Sequence, residues 1–103
     1  MITVVWDTWI KAGDEAEGLA LTQRIWQDMR SFDGYVSHQL LFDIDAPGHV
    51  IALGVWRSRE DADRVRELYQ HSDVVARLLP LLTRPRERWI TRSDIPSAVQ
   101  AVA

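Results

Sequence analysis

Val50-Ile51-Ala52-Leu53-Gly54-Val55-Trp56-Arg57-Ser58 decides the fold of this chain. Six of the seven residues from Val50 to Trp56 are apolar, and the seventh is Gly54. A short apolar run of this kind reads as a strand covered on both faces. Ser58, followed by Glu60 and Asp61, then opens a helix: a hydroxyl cap with acids in the first turn, where they suit the helix dipole.

Working outward, Ile2 to Ile10 is rich in β-branched and aromatic residues and predicts a first strand. Lys11-Ala12-Gly13-Asp14 is a turn, with Asp14 as the expected N-cap. Glu15 to about Arg30 predicts a helix, with Leu19, Thr22, Ile25, Trp26 and Met29 on one face. Ser31-Phe32-Asp33-Gly34 ends it, Gly34 being free to take a left-handed conformation. Tyr35–Phe42 is a second strand, and Asp43-Ile44-Asp45-Ala46-Pro47-Gly48 turns it into the third, His49–Arg57. The second helix presents Ala62, Val65, Leu68 and Tyr69 on one side. His71-Ser72-Asp73 interrupts it before a short segment, Val74 to about Leu82, bent by Pro80. Arg86–Thr91 is a fourth strand. The chain therefore reads as one domain over residues 1–94, with a tail at 95–103.

The order β-α-β-β-α(α)-β favours a ferredoxin-like α+β architecture: a four-stranded antiparallel sheet with helices on one face. Alternation places Val50, Ala52, Gly54 and Trp56 on the helix side with Val4, Trp6 and Thr8, and with Val36, His38, Leu40 and Phe42 from the second strand. Ile51, Leu53, Val55, Val5 and Trp9 then point the other way. Leaving them in water forgoes roughly 1.5–3 kcal/mol for each side chain, a total comparable with the net stability of a domain. A homodimer joined through this sheet face is expected.

The 103 residues carry 12 basic and 15 acidic side chains, a net charge of −3, and no cysteine. No basic stripe dominates, so neither nucleic acid nor an anionic membrane is an expected partner. The lack of cysteine removes disulfides, thiolate metal sites and cysteine nucleophiles, and fits a cytoplasmic protein. No run approaches the ~18 apolar residues of a membrane span. The three histidines lie on separate elements with no His-x-x-x-His pair, so no metal site is expected. Neither a Gly-x-Ser-x-Gly turn nor a phosphate-binding glycine loop is present.

The element order, Phe32-Asp33-Gly34-Tyr35 at the entry to strand two, Val55-Trp56-Arg57-Ser58-Arg59-Glu60-Asp61-Ala62, and the His71-Ser72-Asp73 break together resemble the antibiotic biosynthesis monooxygenase family over roughly residues 2 to 92. The resemblance implies a dimeric α+β barrel with a pocket inside each subunit, between sheet and helices. It implies small-molecule chemistry without a tightly held cofactor, such as oxygenation of aromatic polyketides. Of the polyketide oxygenases' site positions, Trp56 is retained. Their strand-three Asn is Ala52 here, their helix-two Tyr is Ala62, their strand-two Tyr falls near Leu40, and their helical Arg falls near Leu78. The haem-degrading branch's Asn, Trp and His positions fall on Trp6, Tyr69 and about Leu79, so a haem held in that way is not expected.

His38 is the candidate catalytic base, being the one histidine whose parity points toward the pocket, with a histidine hydrogen-bonded within the sheet or at the helix interface as the alternative. Trp6 and Trp56 would form flat walls for an aromatic ligand, and Ala52 and Gly54 would leave room for it. Gly54 has an equally good alternative reading, as the place where a helix packs close. Tyr69 and His71 are candidate ligand-binding residues, with a solvent-facing cap as the alternative for His71, and His49 at the hairpin exit is expected to be exposed. Arg84-Pro85-Arg86-Glu87-Arg88 reads as a solvated or interface salt-bridge cluster, with reception of an anionic ligand as the alternative. The leading functional expectation is a cofactor-independent monooxygenase-like enzyme. A non-oxidative cyclase, isomerase or lyase, and a non-catalytic ligand-binding accessory protein, are its rivals.

Overall fold

A computed structural model describes residues 1–94; the expected tail at 95–103 lies outside the described residues. The chain runs β1 (Ile2–Trp9), α1 (Glu15–Met29), β2 (Tyr35–Phe42), β3 (His49–Trp56), α2 (Arg59–Tyr69), α3 (Asp73–Leu78), a 3-10 turn (Leu79–Leu81) and β4 (Glu87–Thr91). The strands form one sheet in the order β2-β3-β1-β4, with all neighbours antiparallel. This is the ferredoxin-like α+β fold that the element order predicts. Among the described residues, no helix is long and apolar enough to cross a membrane.

Local chemistry explains most element ends. The Ser58 hydroxyl accepts from the Asp61 backbone N–H and starts α2, and Ser72 does the same for α3 through Val75. Pro80 lacks the N–H that a continuing helix needs, so α3 passes into the 3-10 turn. Asp14 departs from expectation: its side chain makes no capping bond. The Glu15 carboxylate instead accepts from the Gly13 backbone N–H. Gly34 has φ +95°, and a Cβ there would stand 2.6 Å from the Asp61 side chain. Only glycine meets both demands.

The core joins Val4, Val50, Ala52 and Trp56 of the sheet to Leu21, Ile25, Trp26 and Met29 of α1, Ala62 and Val65 of α2, and Val75 and Leu78 of α3. Leu68 was expected to join it but is 65% exposed. It sits one residue, about 100°, around the helix from Tyr69, off the stripe made by Ala62, Val65 and Tyr69. A second correction concerns β2. Tyr35 pairs with Trp56 and Ser37 with Val55, so a bulge absorbs Val36. Tyr35, not Val36, thus shares the face of Trp56; from His38, opposite Gly54, the expected parity holds.

On the opposite sheet face, Val5, Trp9, Ile51 and Leu53 are half-buried outside the core, whereas Val55, expected to be left in water with them, is buried. Leu41, paired with Ile51, and Trp89, paired with Val5, are exposed there.

Candidate functional site

Between the helix-covered sheet face and the three helices lies a cavity of about 320 Å³, within the range of small-molecule sites. Val4, Trp6 and Thr8 of β1 and Ala52 and Trp56 of β3 form its floor. Strand alternation puts them on one surface. Thr22, Ile25, Trp26 and Met29 of α1 face them, with Ala62, Val65, Arg66, Tyr69 and Gln70 of α2. Val75, Leu78 and Leu79, then Pro85, Arg86 and Arg88, complete the wall.

Four of the expected ligand-binding residues are therefore brought together: Trp6, Ala52, Trp56 and Tyr69. The positions carried over from the family resemblance largely converge here too, since Ala52, Trp56, Ala62 and Leu78 all line the cavity. Three of these four are small or aliphatic, so the polar groups of the site come from elsewhere.

Gly54 is not part of the wall. A Cβ on it would meet Trp26 Cη2 at 2.3 Å, so the glycine serves the close approach of α1, the alternative reading of this residue. His38 is also outside the wall. It stacks on Trp26 with ring centroids 5.4 Å apart and shares a 2.6 Å hydrogen bond with the Tyr35 hydroxyl through Nδ1. Burial, with Arg30 as the lesser influence, lowers the His38 pKa, so the ring is neutral at pH 7. His71 is exposed just beyond α2 and does not line the cavity.

Tyr69 donates its hydroxyl to Asp28 at 2.6 Å. Burial, and then that bond, push its pKa up to about 12, while the same bond lowers that of Asp28. The phenol is thus a fixed neutral donor. No carboxylate and no imidazole is among the lining residues.

Arginines supply the charge, and only the Arg86 and Arg88 part of this was within reach of the sequence. The Arg86 guanidinium lies 4.6 Å from the centroid of the Trp6 ring, and that of Arg88 lies 5.7 Å away. Arg88 Nη2 also donates to Asp63 at 2.9 Å. Burial lowers the Arg86 pKa, and the nearby positive charge of Arg66 adds to the effect. Arg66, Trp26, Thr22 and Gln70 were not anticipated. The i, i+4 spacing of Ala62 and Arg66, and of Thr22 and Trp26, would have placed them beside recognised wall or core residues.

His49, expected to be exposed, is instead half-buried in a second cluster on the other sheet face. Its ring stacks on Trp9 at 3.8 Å, nearly parallel. Nε2 lies 2.5 Å from Asp7 and Nδ1 2.8 Å from Asp43. The β1–β3 register, which pairs Trp9 with His49, makes this contact. The imidazole stands between the two carboxylates, and among the described residues no three such side chains converge as metal ligands.

The model of the antibiotic biosynthesis monooxygenase family matches residues 1–77. No curated protein matches the sequence significantly. Among solved structures, the chain is similar to SnoaB, a cofactor-independent oxygenase from Streptomyces nogalater, at 21% identity and a TM-score of 0.76, covering 92% of this chain and 96% of that one. It is similar to Rv0793 from Mycobacterium tuberculosis at 23% identity and a TM-score of 0.77, covering 89% and 93%. A Nitrosomonas europaea protein described as of the antibiotic biosynthesis monooxygenase type superposes with a TM-score of 0.81 at 15% identity, over 91% of this chain and 99% of that one. At these identities the structural likeness speaks for the fold, whereas the family match spans about three quarters of the sequence: the chain belongs to the antibiotic biosynthesis monooxygenase family.

Proposed function

We propose that the protein is a cofactor-independent monooxygenase-like enzyme that takes a compact aromatic or polyketide-type molecule into the cavity. The observation that carries this reading is the wall of three indoles, Trp6, Trp26 and Trp56, in a cavity whose polar groups gather on Arg66, Gln70, Arg86 and Arg88. Indoles offer flat contact area to a ring system. The chemistry is loss of a proton from an acidic ring carbon and one-electron transfer from the carbanion to dioxygen. Recombination gives a hydroperoxide, which eliminates water. A ring CH₂ and O₂ thus become C=O and H₂O. His38 stands outside the wall, stacked on Trp26, and is not assigned the proton; the guanidiniums at the Trp6 end favour the deprotonated substrate.

The test is oxygen uptake with anthrone as the probe, followed by mass spectrometry under ¹⁸O₂. One labelled oxygen in the product quinone, at a rate that falls in Trp56→Ala, supports the reading. Conversion without oxygen uptake would assign non-oxidative acid–base chemistry. The replacement of the family's polar positions by Ala52, Ala62 and Leu78 favours a second reading, a binding module, which is supported if bound ligand is recovered unchanged.

A further inference from the structure

The arginines at the Trp6 end of the cavity have more positive charge than carboxylates among the described residues neutralise. Several arginines are ion-paired: Arg24 with Asp28, Arg57 with Asp33 and Asp61, Arg59 with Asp63, and Arg64 with Asp61. Arg86 is half-buried, lines the cavity and stacks on Trp6, yet no carboxylate among the described residues lies within ion-pair distance of it. Arg66, lining the same cavity, has none either. Arg88 spends Nη2 on Asp63, and its Nε is buried without a hydrogen-bond partner.

A guanidinium withdrawn from water without an acceptor is costly, and like charges beside it raise that cost. The folded chain retains this arrangement in the lining of a cavity. An anion entering there would pair with Arg86 and meet the positive charge of Arg88 and Arg66. A planar guanidinium accepts a carboxylate through two parallel hydrogen bonds, which a neutral amide cannot reproduce. The Trp6 ring beneath the two guanidiniums holds them in place by cation–π contact.

We propose that Arg86, with Arg66 and Arg88, forms an anion subsite and that the ligand is a compact aromatic carboxylate. The inference rests on the cavity being the ligand site and narrows the substrate class to an acid whose ring system lies against Trp56 and Trp26. The carboxylate sits at the arginine end, and the ring system reaches inward toward Ala52 and Trp26.

The experiment is calorimetric titration of the full chain at pH 7.5 and fixed low salt with 2-naphthoate and with its neutral isostere 2-naphthamide. The wild type should bind the carboxylate at least tenfold more tightly than the amide. Arg86→Gln should bring that ratio close to one while amide affinity stays within about twofold. Arg86→Lys should restore part of the ratio. Should Arg86→Gln fail to fold, Arg66→Gln on the exposed side of α2 is the second variant, expected to reduce the ratio several-fold. Ala52→Leu, which fills the floor, should abolish binding of both probes. Equal binding of amide and carboxylate, or a ratio that survives Arg86→Gln and Arg66→Gln, overturns the anion subsite and leaves the cavity standing. Binding of both probes undisturbed by Ala52→Leu, or binding of neither, overturns the cavity reading and the subsite with it.

Discussion

The indole of Trp26 rests directly on Gly54: a Cβ there would stand 2.3 Å from Cη2 and 2.6 Å from Cζ3 of the ring. The glycine in the middle of β3 is therefore where α1 meets the sheet, and the ligand space begins on the far side of that ring.

Gly54→Ala should consequently act on stability before it acts on binding. Trp26 is only 5% exposed and has little room to retreat, so the added methyl should cost about 1–3 kcal/mol, as overpacking does. Thermal melting checks it, and an unchanged melting temperature would refute the contact. Gly54→Leu, which simple alternation presents as a cavity filler, should instead displace Trp26 and destabilise strongly.

His38→Ala should lower the melting temperature by removing the ring stacked on Trp26 and the partner of the Tyr35 hydroxyl. Turnover should fall by less than tenfold, because His38 is not part of the cavity wall. A loss of about 10²–10⁴-fold with unchanged stability would identify the imidazole as the base.

His49 should make stability depend on pH near neutrality. Burial by itself would lower its pKa, but the hydrogen bonds to Asp43 and Asp7 and their charges outweigh it, and the net shift is upward from 6.5. A raised folded-state pKa means that the contribution is complete below about pH 6.5 and is lost as pH rises through the folded value. Urea unfolding of wild type and His49→Gln from pH 5 to 9 should show a gap that narrows toward alkaline pH. A gap independent of pH would show that the ring matters only through its stacking on Trp9.

Asp61 should govern the acid limit. It lies beneath Gly34 and accepts from Arg57, Arg64 and Ser58. These bonds, that from Arg57 foremost, hold its pKa at about 2 against an ordinary 3.8. Its contribution is present above pH 3.8 and disappears as pH falls toward 2. Asp61→Asn should be less stable than wild type at pH 7, with the difference shrinking through that window. Circular dichroism melts across pH 2–7 measure it.

The outer sheet face is proposed to be a homodimer interface, carried by Ile51, Leu53, Leu41, Val5 and Trp89. Leu53→Glu would place a charge against its symmetry mate, and an unpaired buried charge costs several kcal/mol, roughly 3–5 on the scale of broken buried pairs. Sedimentation velocity should show a wild-type dimer and a variant monomer; a wild-type monomer at micromolar concentration ends the proposal.

The fold was written in local patterns. The apolar run Val50–Trp56, the hydroxyl caps Ser58 and Ser72, and the breakers Gly34, Pro47-Gly48 and Pro80 act within a few residues, and so they specify strands, helix starts and turns without knowledge of the partner. The face assignment followed from period two wherever the ladder is regular, which is why Trp6, Ala52 and Trp56 could be placed on one surface. Other features depended on contacts between distant segments. The bulge at Val36 exists only in the pairing of β2 with β3. The burial of Gly54 by Trp26 needs the position of α1 over the sheet. The clamp of Asp7 and Asp43 on His49 needs the β1–β3 register. The arginine end of the cavity joins Arg66 from α2 to Arg86 and Arg88 around the start of β4, segments some twenty residues apart. Local propensity is a property of neighbouring residues, whereas a charge without its counter-ion becomes visible only when packing has removed the water that would have answered it.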